Sequence, residues 1–271
     1  MSFKNYQVIN NFISAEECDQ LINDSTQIID EDFLNIQTKR LFLSSSSLEM
    51  QALINKYTSW KKLVSYIDSQ EFLEKCCVTL NIELKLKKVN FFNKNVNTSS
   101  DGYYLEFKKN GNKRLKDLTS KALVKYFLIR FFRVILRKIK FSKIFYLNRI
   151  PCELLFDYSK ANNGYYNDIH KDSDSRIIVF LLYLNSIDGE GGSLQFYKKD
   201  GQNNLSLVES IQPEPGKLVI FSNNDISYHG VKKMSGSSKM RHFLYGSFTS
   251  LNEENPLVKK KTTKTEFHLY E

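Results

Sequence analysis

The pattern of hydrophobic and polar residues changes along the chain at Pro151. Before that point, an apolar-rich strand is predicted over Tyr6–Phe12. The S-x-x-E sequence that begins at Ser14 is a capping box in front of an apolar run, and it predicts the start of a helix. Two more helices are predicted over Gln51–Leu63 and Gln70–Leu80. We therefore expect a strand followed by helices of ordinary length at the start of the chain.

Two segments of different character follow before Pro151. Strands are predicted over Asn81–Phe107, on either side of the polar loop Asn93–Gly102. Leu115–Lys140 has the periodicity of a helix with an apolar face and a basic face. The apolar face consists of Leu123, Phe127, Phe131, Val134 and Ile135, and the basic face of Arg130, Arg133, Arg137 and Lys140.

After Pro151 the chain becomes a series of short β-type runs separated by Gly, Asn and Asp. Such a series is typical of an antiparallel sandwich or jelly roll. We therefore predict an α+β protein that is one structural domain overall. Its parts are a jelly-roll (double-stranded β-helix) core over residues 150–250, supporting N-terminal and central helices within 1–149, and a lysine-rich tail over 251–271. The predicted strands are Glu153–Asp157, Ile177–Leu184, Ser193–Tyr197, Leu205–Ile211, Lys217–Phe221 and His242–Phe248.

The positive charge of the protein is concentrated in one segment. The 271 residues carry a formal charge of +9, and Lys108–Lys143 holds thirteen Lys or Arg against the single acid Asp117, a net of +12. The rest of the chain is therefore close to −3, since 9 − 12 = −3. A basic amphipathic stretch can contact an anionic membrane surface or nucleic acid. We favour a supporting helix that packs its apolar face on the sheet and leaves its basic face in solvent. The alternative is peripheral contact between the basic face and an anionic surface.

Cysteine usage and the N-terminus indicate a reducing compartment. The four cysteines, Cys18, Cys76, Cys77 and Cys152, show no C-x-x-C spacing and no disulfide framework. The N-terminus lacks the apolar region of a signal peptide, and no stretch has the length of apolar residues that a membrane-spanning helix needs. We therefore expect a soluble, cytoplasmic protein.

Two histidines and one aspartate form the most informative pattern in the sequence. His170 and Asp172 are two residues apart, so in an extended strand both side chains point to the same side. His229 comes from a later strand, and a jelly roll can place strands that are distant in sequence side by side. Two imidazoles and a carboxylate are the ligand set that holds non-haem Fe(II) on one face and leaves coordination positions open. Arg241 follows on the next strand and offers the forked donor that a dicarboxylate co-substrate needs.

The neighbouring sequence places further residues around this pattern in a recognisable order. Tyr158 precedes the loop, and Arg176 leads into an apolar strand that ends at Tyr183-Leu184-Asn185. A Gly-Gly turn at 190–194, the run P-G-K-L-V-I-F at 215–221 and H-G-V at 229–231 follow. The segment from Tyr158 to Phe248 thus resembles the catalytic core of the 2-oxoglutarate- and Fe(II)-dependent dioxygenases, in their prolyl 4-hydroxylase-like branch. Residues 8–22 resemble the start of such proteins more loosely, and residues 24–149 match no family pattern.

The resemblance implies a role for each of these residues. It implies that His170, Asp172 and His229 hold Fe(II) and that Arg241 pairs with the distal carboxylate of 2-oxoglutarate. It also implies that Tyr183 lies near that co-substrate, with Tyr158 as a second candidate. Because the Ser/Gly-rich stretch Met234–Lys239 lengthens the spacing after His229, Lys239 is an alternative partner for the carboxylate, and we favour Arg241. Arg176 is a candidate contact for the prime substrate.

The implied reaction is oxidative decarboxylation of 2-oxoglutarate to succinate and CO₂ with O₂, coupled to hydroxylation of an unactivated C–H group. Ascorbate is a candidate reductant. The prime substrate is a protein side chain or part of a small metabolite, sugar or lipid. A halogenase is not expected, because Asp172 supplies the carboxylate ligand that halogenases lack. Nucleic acid is not expected as a partner, because Ser247 stands where base-repair members of the wider family carry a second arginine.

Two other functions compete with this prediction. One is a catalytically silent jelly-roll module that binds an anionic partner through the basic helix, although such a module has no need for the full H-x-D, H and R set. The other is a different metal enzyme on a cupin-like barrel that uses no 2-oxo acid, and this function leaves Arg241 unexplained.

Overall fold

The computed structural model describes residues 5–28, 40–45, 47–89, 149–250 and 257. The chain begins with strand β1 (Tyr6–Ile9) and helix α1 (Ala15–Thr26). The predicted capping box is confirmed: the backbone N–H of Glu17 donates to Ser14 Oγ at 3.1 Å, and the backbone N–H of Ser14 donates to Glu17 Oε2 at 3.0 Å. Strand β1 is shorter than predicted because the backbone turns at Asn11, whose φ is 53°.

The prediction of one continuous helix over Gln51–Leu63 is wrong. The structure has two helices there, α2 (Leu48–Lys56) and α3 (Thr58–Ile67), separated by Tyr57 in an extended conformation with φ −115° and ψ 125°. This residue ends the first helix and begins the second. Helix α4 (Gln70–Thr79) confirms the third predicted helix, and the backbone N–H of Phe72 donates to Ser69 Oγ at its start.

Two short strands come from the part of the chain before Pro151. Strand β2 (Arg40–Ser44) was not predicted, and β3 (Leu86–Lys88) lies inside the segment for which strands were predicted. All six strands predicted after Pro151 are present, and β5 and β10 are added to them. The strands after Pro151 are β4 (Ile150–Ala161), β5 (Asn167–His170), β6 (Arg176–Tyr183), β7 (Leu194–Lys199), β8 (Leu205–Ile211), β9 (Leu218–Ser222), β10 (Tyr228–Val231) and β11 (Arg241–Ser250).

The strands of the described residues form two sheets that face each other. The major sheet has the order β1-β9-β6-β11-β4-β2, with β3 beside β4, and the minor sheet has the order β5-β10-β7-β8. All neighbouring strands pair antiparallel except β3 and β4. Strands far apart in sequence, such as β4 and β11, are therefore neighbours. This arrangement confirms the predicted jelly roll with supporting N-terminal helices.

Two apolar cores lie on the two sides of the major sheet, because successive side chains of a strand point to opposite faces. In β6, Phe180 and Leu182 belong to the core that packs against the helices, which we call the helix-side core. Leu181 and Tyr183 belong to the core between the sheets, which we call the inter-sheet core. Residues 177–183 are all buried, which explains the uninterrupted apolar run in this strand. Phe72 of α4 packs edge-on against Phe180 with ring centroids 5.4 Å apart.

Several predicted segments lie outside the described residues. These are the basic helix Leu115–Lys140 within Lys108–Lys143, the loop Asn93–Gly102, and the tail 251–271 apart from Leu257. Within the described ranges, no helix combines the length and the apolar character needed to cross a membrane.

Candidate active site

The structure brings His170, Asp172 and His229 together at one end of the inter-sheet space. His170 ends β5, and His229 lies opposite it in the neighbouring strand β10. Their ring centroids are 4.5 Å apart, and Asp172 follows β5 by two residues. One ligand atom from each of the three residues lies within 4.8 Å of the other two. The geometry therefore suits the binding of one metal ion by all three.

Both histidines are held in the form that can bind a metal. The Nδ1 of His170 lies 2.7 Å from the carbonyl oxygen of Asp168, and the Nδ1 of His229 lies 3.0 Å from that of Ser227. A carbonyl oxygen only accepts hydrogen bonds, so each Nδ1 carries a proton, and Nε2 is the nitrogen left to bind a metal. Burial lowers the pKa of His229, and the nearby charge of Asp172 opposes this effect. The neutral imidazole is thus the favoured form of His229.

The carboxylate of Asp172 presents one oxygen to the two histidines and is anchored by the other. Oδ1 accepts hydrogen bonds from Arg176 Nη1 and from the Tyr245 hydroxyl, the latter at 2.9 Å. Oδ2 is buried, has no hydrogen-bond partner among the described residues, and lies 3.5 Å from His229 Nε2. A buried carboxylate oxygen without a donor is costly unless it binds a cation. The donor set of two imidazole nitrogens and one carboxylate oxygen fits Fe(II).

A cavity of about 210 Å³ connects these three residues with Arg241. Arg241 is completely buried, and its Nε, Nη1 and Nη2 have no hydrogen-bond partner within the described part of the chain. The guanidinium centre lies 4.3 Å from the ring centroid of Phe243 and 5.0 Å from that of Tyr183. The Tyr183 hydroxyl is also buried without a described partner. Burial raises the pKa of Tyr183, so the phenol keeps its proton, although the Arg241 charge opposes this shift. Together the two side chains offer unpaired donors to an anion.

Lys239, the alternative to Arg241, lies outside this cavity. The Ser/Gly-rich stretch folds back on Asp188, which accepts hydrogen bonds from Ser237 Oγ at 2.7 Å and from the backbone N–H groups of Ser238 and Lys239. The lysine side chain is exposed. The extra residues are therefore absorbed by a surface loop, and Arg241 begins β11 with its side chain directed inward.

The predicted contact between Tyr158 and the co-substrate is wrong. Tyr158 belongs to the helix-side core, where its hydroxyl is 2.8 Å from Ser25 Oγ and 2.7 Å from His242 Nδ1. The physical reason is the alternation of side chains in β4: Asp157 lines the cavity, so its neighbour in the strand faces the helices. Ala161 lies in register with Arg241, and counting back from it by twos would have given Asp157 rather than Tyr158.

Arg176 lies in the cavity wall, where its guanidinium contacts Asp172 and Tyr245. A contact with the prime substrate remains a prediction. Tyr245 was missed, although it is four residues after Arg241 in the same strand and therefore on the same face. Burial, together with the Asp172 charge, raises the pKa of Tyr245, so its hydroxyl remains a donor.

A second ion pair in the cavity wall was also missed. Arg40 of β2 donates to Asp157 Oδ1 at 2.6 Å and to Ser159 Oγ at 2.7 Å. Asp157 and Ser159 could have been found from the alternation in β4. No sequence signal marks Arg40, because β2 reaches the site only by pairing with the edge of β4.

Comparison with known proteins agrees with this geometry. Residues 156–246 match the model of the 2OG-Fe(II) oxygenase superfamily, and this segment contains all three candidate metal ligands and Arg241. No curated protein sequence gives a significant match.

Solved structures with a similar fold include three prolyl hydroxylases. A prolyl 4-hydroxylase from Phytophthora capsici aligns with a TM-score of 0.51 at 16% identity, covering 94% of this chain and 61% of that one. A prolyl hydroxylase from Trichoplax adhaerens, in complex with a hypoxia inducible factor peptide fragment, gives a TM-score of 0.48 at 14% identity, covering 92% and 85%. A prolyl 4-hydroxylase from Pseudomonas putida gives 0.47 at 14% identity, covering 90% and 92%. The first of these three, with a TM-score above 0.5, shares the fold of this chain.

The matched segment, the jelly roll and the ligand geometry point to the same family. Residues 156–246 are similar to the 2OG-Fe(II) oxygenase superfamily, and the fold is similar to that of a prolyl 4-hydroxylase.

Proposed function

We propose that this protein hydroxylates an unactivated C–H group of a prime substrate, with Fe(II) as cofactor and 2-oxoglutarate and O₂ as co-substrates. One oxygen atom of O₂ would enter succinate, the other would enter the new hydroxyl group, and CO₂ would be released. The observation that carries the proposal is the buried, unpaired guanidinium of Arg241 in the same cavity as His170, Asp172 and His229. A pocket with this charge arrangement suits a ligand that chelates a metal at one end and carries an anion at the other.

Each side chain would have a defined task in that reaction. The two Nε2 atoms and Asp172 Oδ2 would hold the metal on one face. Arg241 would pair with the distal carboxylate of 2-oxoglutarate through its fork, and Tyr183 would donate a further hydrogen bond. Iron and 2-oxoglutarate, when bound, supply the activation of O₂, and the protein supplies orientation and a pocket that excludes water. The apolar side chains that line this pocket and would exclude water are Leu181, Leu194, Phe221, Val231 and Phe243.

The prime substrate is proposed only as a class. It is a protein side chain or part of a small metabolite, sugar or lipid, as the sequence suggests. Pockets that enclose a whole small ligand commonly measure about 300–1,000 Å³, and the 210 Å³ cavity is smaller. Because 2-oxoglutarate itself would fill much of this space, the prime substrate would place only its reacting group at the metal.

The proposal can be tested without knowing the substrate. Apo-protein is titrated anaerobically with Fe(II) and then with 2-oxoglutarate, and the visible metal-to-ligand charge-transfer band is followed. The band should appear in the wild-type protein, should be absent in His170→Ala, and should need far more 2-oxoglutarate in Arg241→Ala. Lys239→Ala is the matched control, because it removes a nearby positive charge outside the cavity, and it should behave as wild type.

The same titration distinguishes the competing function. A folded wild-type protein that gives no band would refute the proposed site. The net charge of +12 in Lys108–Lys143 would then make the silent module, with its anionic partner, the better explanation.

A further inference from the structure

The two oxygens of the Asp172 carboxylate have different surroundings. Oδ1 accepts two hydrogen bonds, from Arg176 and Tyr245, whereas Oδ2 has no donor among the described residues and faces the histidines. We propose that Arg176 and Tyr245 are positioning residues that hold Asp172 as a one-oxygen metal ligand, and so keep a coordination position free for co-substrate or O₂. This inference rests on the proposed function, because it assumes that the three ligands bind a metal.

The hydrogen bonds among Asp172, Arg176 and Tyr245, a group which we call the Asp172 clamp, are mutually consistent in donor and acceptor. The Tyr245 hydroxyl has one proton, and it goes to Asp172 Oδ1 at 2.9 Å because the carboxylate can only accept. The Nη1 of Arg176 has two protons, one directed to Asp172 Oδ1 and the other to the Tyr245 oxygen at 2.6 Å. The guanidinium also lies over the Tyr245 ring, 5.4 Å from its centroid. Each member is therefore held by the other two.

The clamp links the metal site to both sheets. His170 and His229 lie on β5 and β10 of the minor sheet, whereas Arg176 and Tyr245 lie on β6 and β11 of the major sheet. The loop that carries Asp172 is fixed by the side-chain amide of Asn223, which donates to the carbonyl oxygens of Ser173 at 2.9 Å and Arg176 at 3.0 Å. The minor sheet thus orients two ligands, and the major sheet orients the third.

The clamp matters because a carboxylate can bind a metal through one oxygen or through both. A second bond from Asp172 to the metal would occupy a position that the co-substrate or O₂ would need. Hydrogen bonds that orient a ligand are strong determinants of metal affinity, and their loss commonly weakens binding by about 10- to 100-fold. Keeping Oδ1 bonded to Arg176 and Tyr245 therefore favours an open coordination position.

A purely electrostatic role for Arg176 would have the opposite consequence. A positive charge next to a cation site repels the ion, so removing that charge should tighten metal binding. Removing a positioning residue should weaken it. The sign of the change therefore separates the two roles.

The test is a titration with Mn(II), followed by the electron paramagnetic resonance signal of the free ion, so that no turnover is needed. Wild type is compared with Tyr245→Phe, Arg176→Gln and Arg176→Lys. We expect about 10- to 100-fold weaker binding in Tyr245→Phe and Arg176→Gln, and partial recovery in Arg176→Lys. Arg40→Gln is the matched control: it removes a guanidinium from the same cavity wall that bonds Asp157 and Ser159 instead of Asp172, and it should change the affinity by less than about twofold.

Coordination number gives a second measurement on the same variants. The visible absorption of bound Co(II) depends on the number and geometry of its ligands, so Tyr245→Phe should change the band positions and intensities while Arg40→Gln should not. Tyr245→Phe keeps the ring beneath Arg176, and circular dichroism would check the fold of every variant. Unchanged or tighter Mn(II) binding in Arg176→Gln and Tyr245→Phe, or equal weakening in Arg40→Gln, would overturn the clamp. Absence of Mn(II) binding in the wild-type protein would refute the metal site itself, and the clamp with it.

Discussion

Replacing Arg241 with methionine should stabilise the ligand-free protein while weakening its binding of 2-oxoglutarate. The guanidinium is fully buried, and none of its nitrogens has a hydrogen-bond partner among the described residues. Exchanging buried ionic groups for apolar side chains of similar size often stabilises a protein by about 1–4 kcal/mol. The positive charge also makes favourable contacts with the rings of Phe243, Tyr183 and Tyr165, which the exchange removes.

A methionine thioether would replace most of the lost cation–π energy, because its contact with an aromatic ring is worth about 0.3–1.5 kcal/mol. We therefore expect Arg241→Met to raise the free energy of unfolding by about 1–3 kcal/mol. In a protein of this size the melting temperature should rise by about 2 °C for each kcal/mol. The wild-type residue is thus expected to destabilise the protein until its anion is bound.

The loss of affinity should be larger than the gain in stability. Removing one partner of a buried, hydrogen-bonded charge pair costs about 2–5 kcal/mol, which corresponds to roughly 30- to 5,000-fold in Kd. At a 2-oxoglutarate concentration of about 100 times Kd, the metal-loaded wild-type protein gains about 2.7 kcal/mol of stability. Arg241→Met should gain less than about 1 kcal/mol at that concentration.

The assay is thermal unfolding with Mn(II) present, with and without 2-oxoglutarate. Lys239→Met is the control, because this exposed side chain has no part in the cavity and its exchange should change stability by no more than about 0.5 kcal/mol. The reasoning would be refuted if Arg241→Met melted below wild type and still gained the full stabilisation from 2-oxoglutarate.

Three further predictions concern the major sheet. Tyr158→Phe should cost about 1–3 kcal/mol by removing the hydroxyl between α1 and β11, and an altered 2-oxoglutarate affinity would contradict its placement in the helix-side core. Burial, assisted by the charge of Lys160, lowers the pKa of His242 from 6.5 to about 4. Stability should therefore be complete above pH 6.5 and fall by up to about 3 kcal/mol as the pH drops to 4, a loss that chemical unfolding of His242→Phe should not show. Gly246→Ala should destabilise by about 1–3 kcal/mol because its Cβ would overlap the Phe180 ring, and Phe180→Leu should restore part of that loss in a double-mutant cycle.

The hydrophobic pattern predicted much of the fold because local rules decide it. Alternation and turn residues after Pro151 located six strands, and the capping box at Ser14 located the start of α1. The break at Tyr57 was missed because both flanking segments are helical by themselves.

The candidate site was partly visible in the sequence for a similar reason. His170 and Asp172 share one face of an extended segment, and Arg241 begins the strand that carries Phe243 and Tyr245 on the same face. Tyr158 faces the helices rather than the cavity because it alternates in β4 with Asp157 and Ser159. The alternation rule would have corrected the prediction for Tyr158.

The sequence by itself determined which residue types were present and which face of each strand they occupy, since both follow from local backbone geometry. Tertiary structure alone decided that His229 lies opposite His170, that Arg40 reaches the cavity from the edge strand β2, and that Arg176 and Tyr245 hold Asp172. Pairing between distant strands sets these contacts. That pairing depends on the cooperative burial of two cores by the whole sheet, and no short segment of the sequence carries the information.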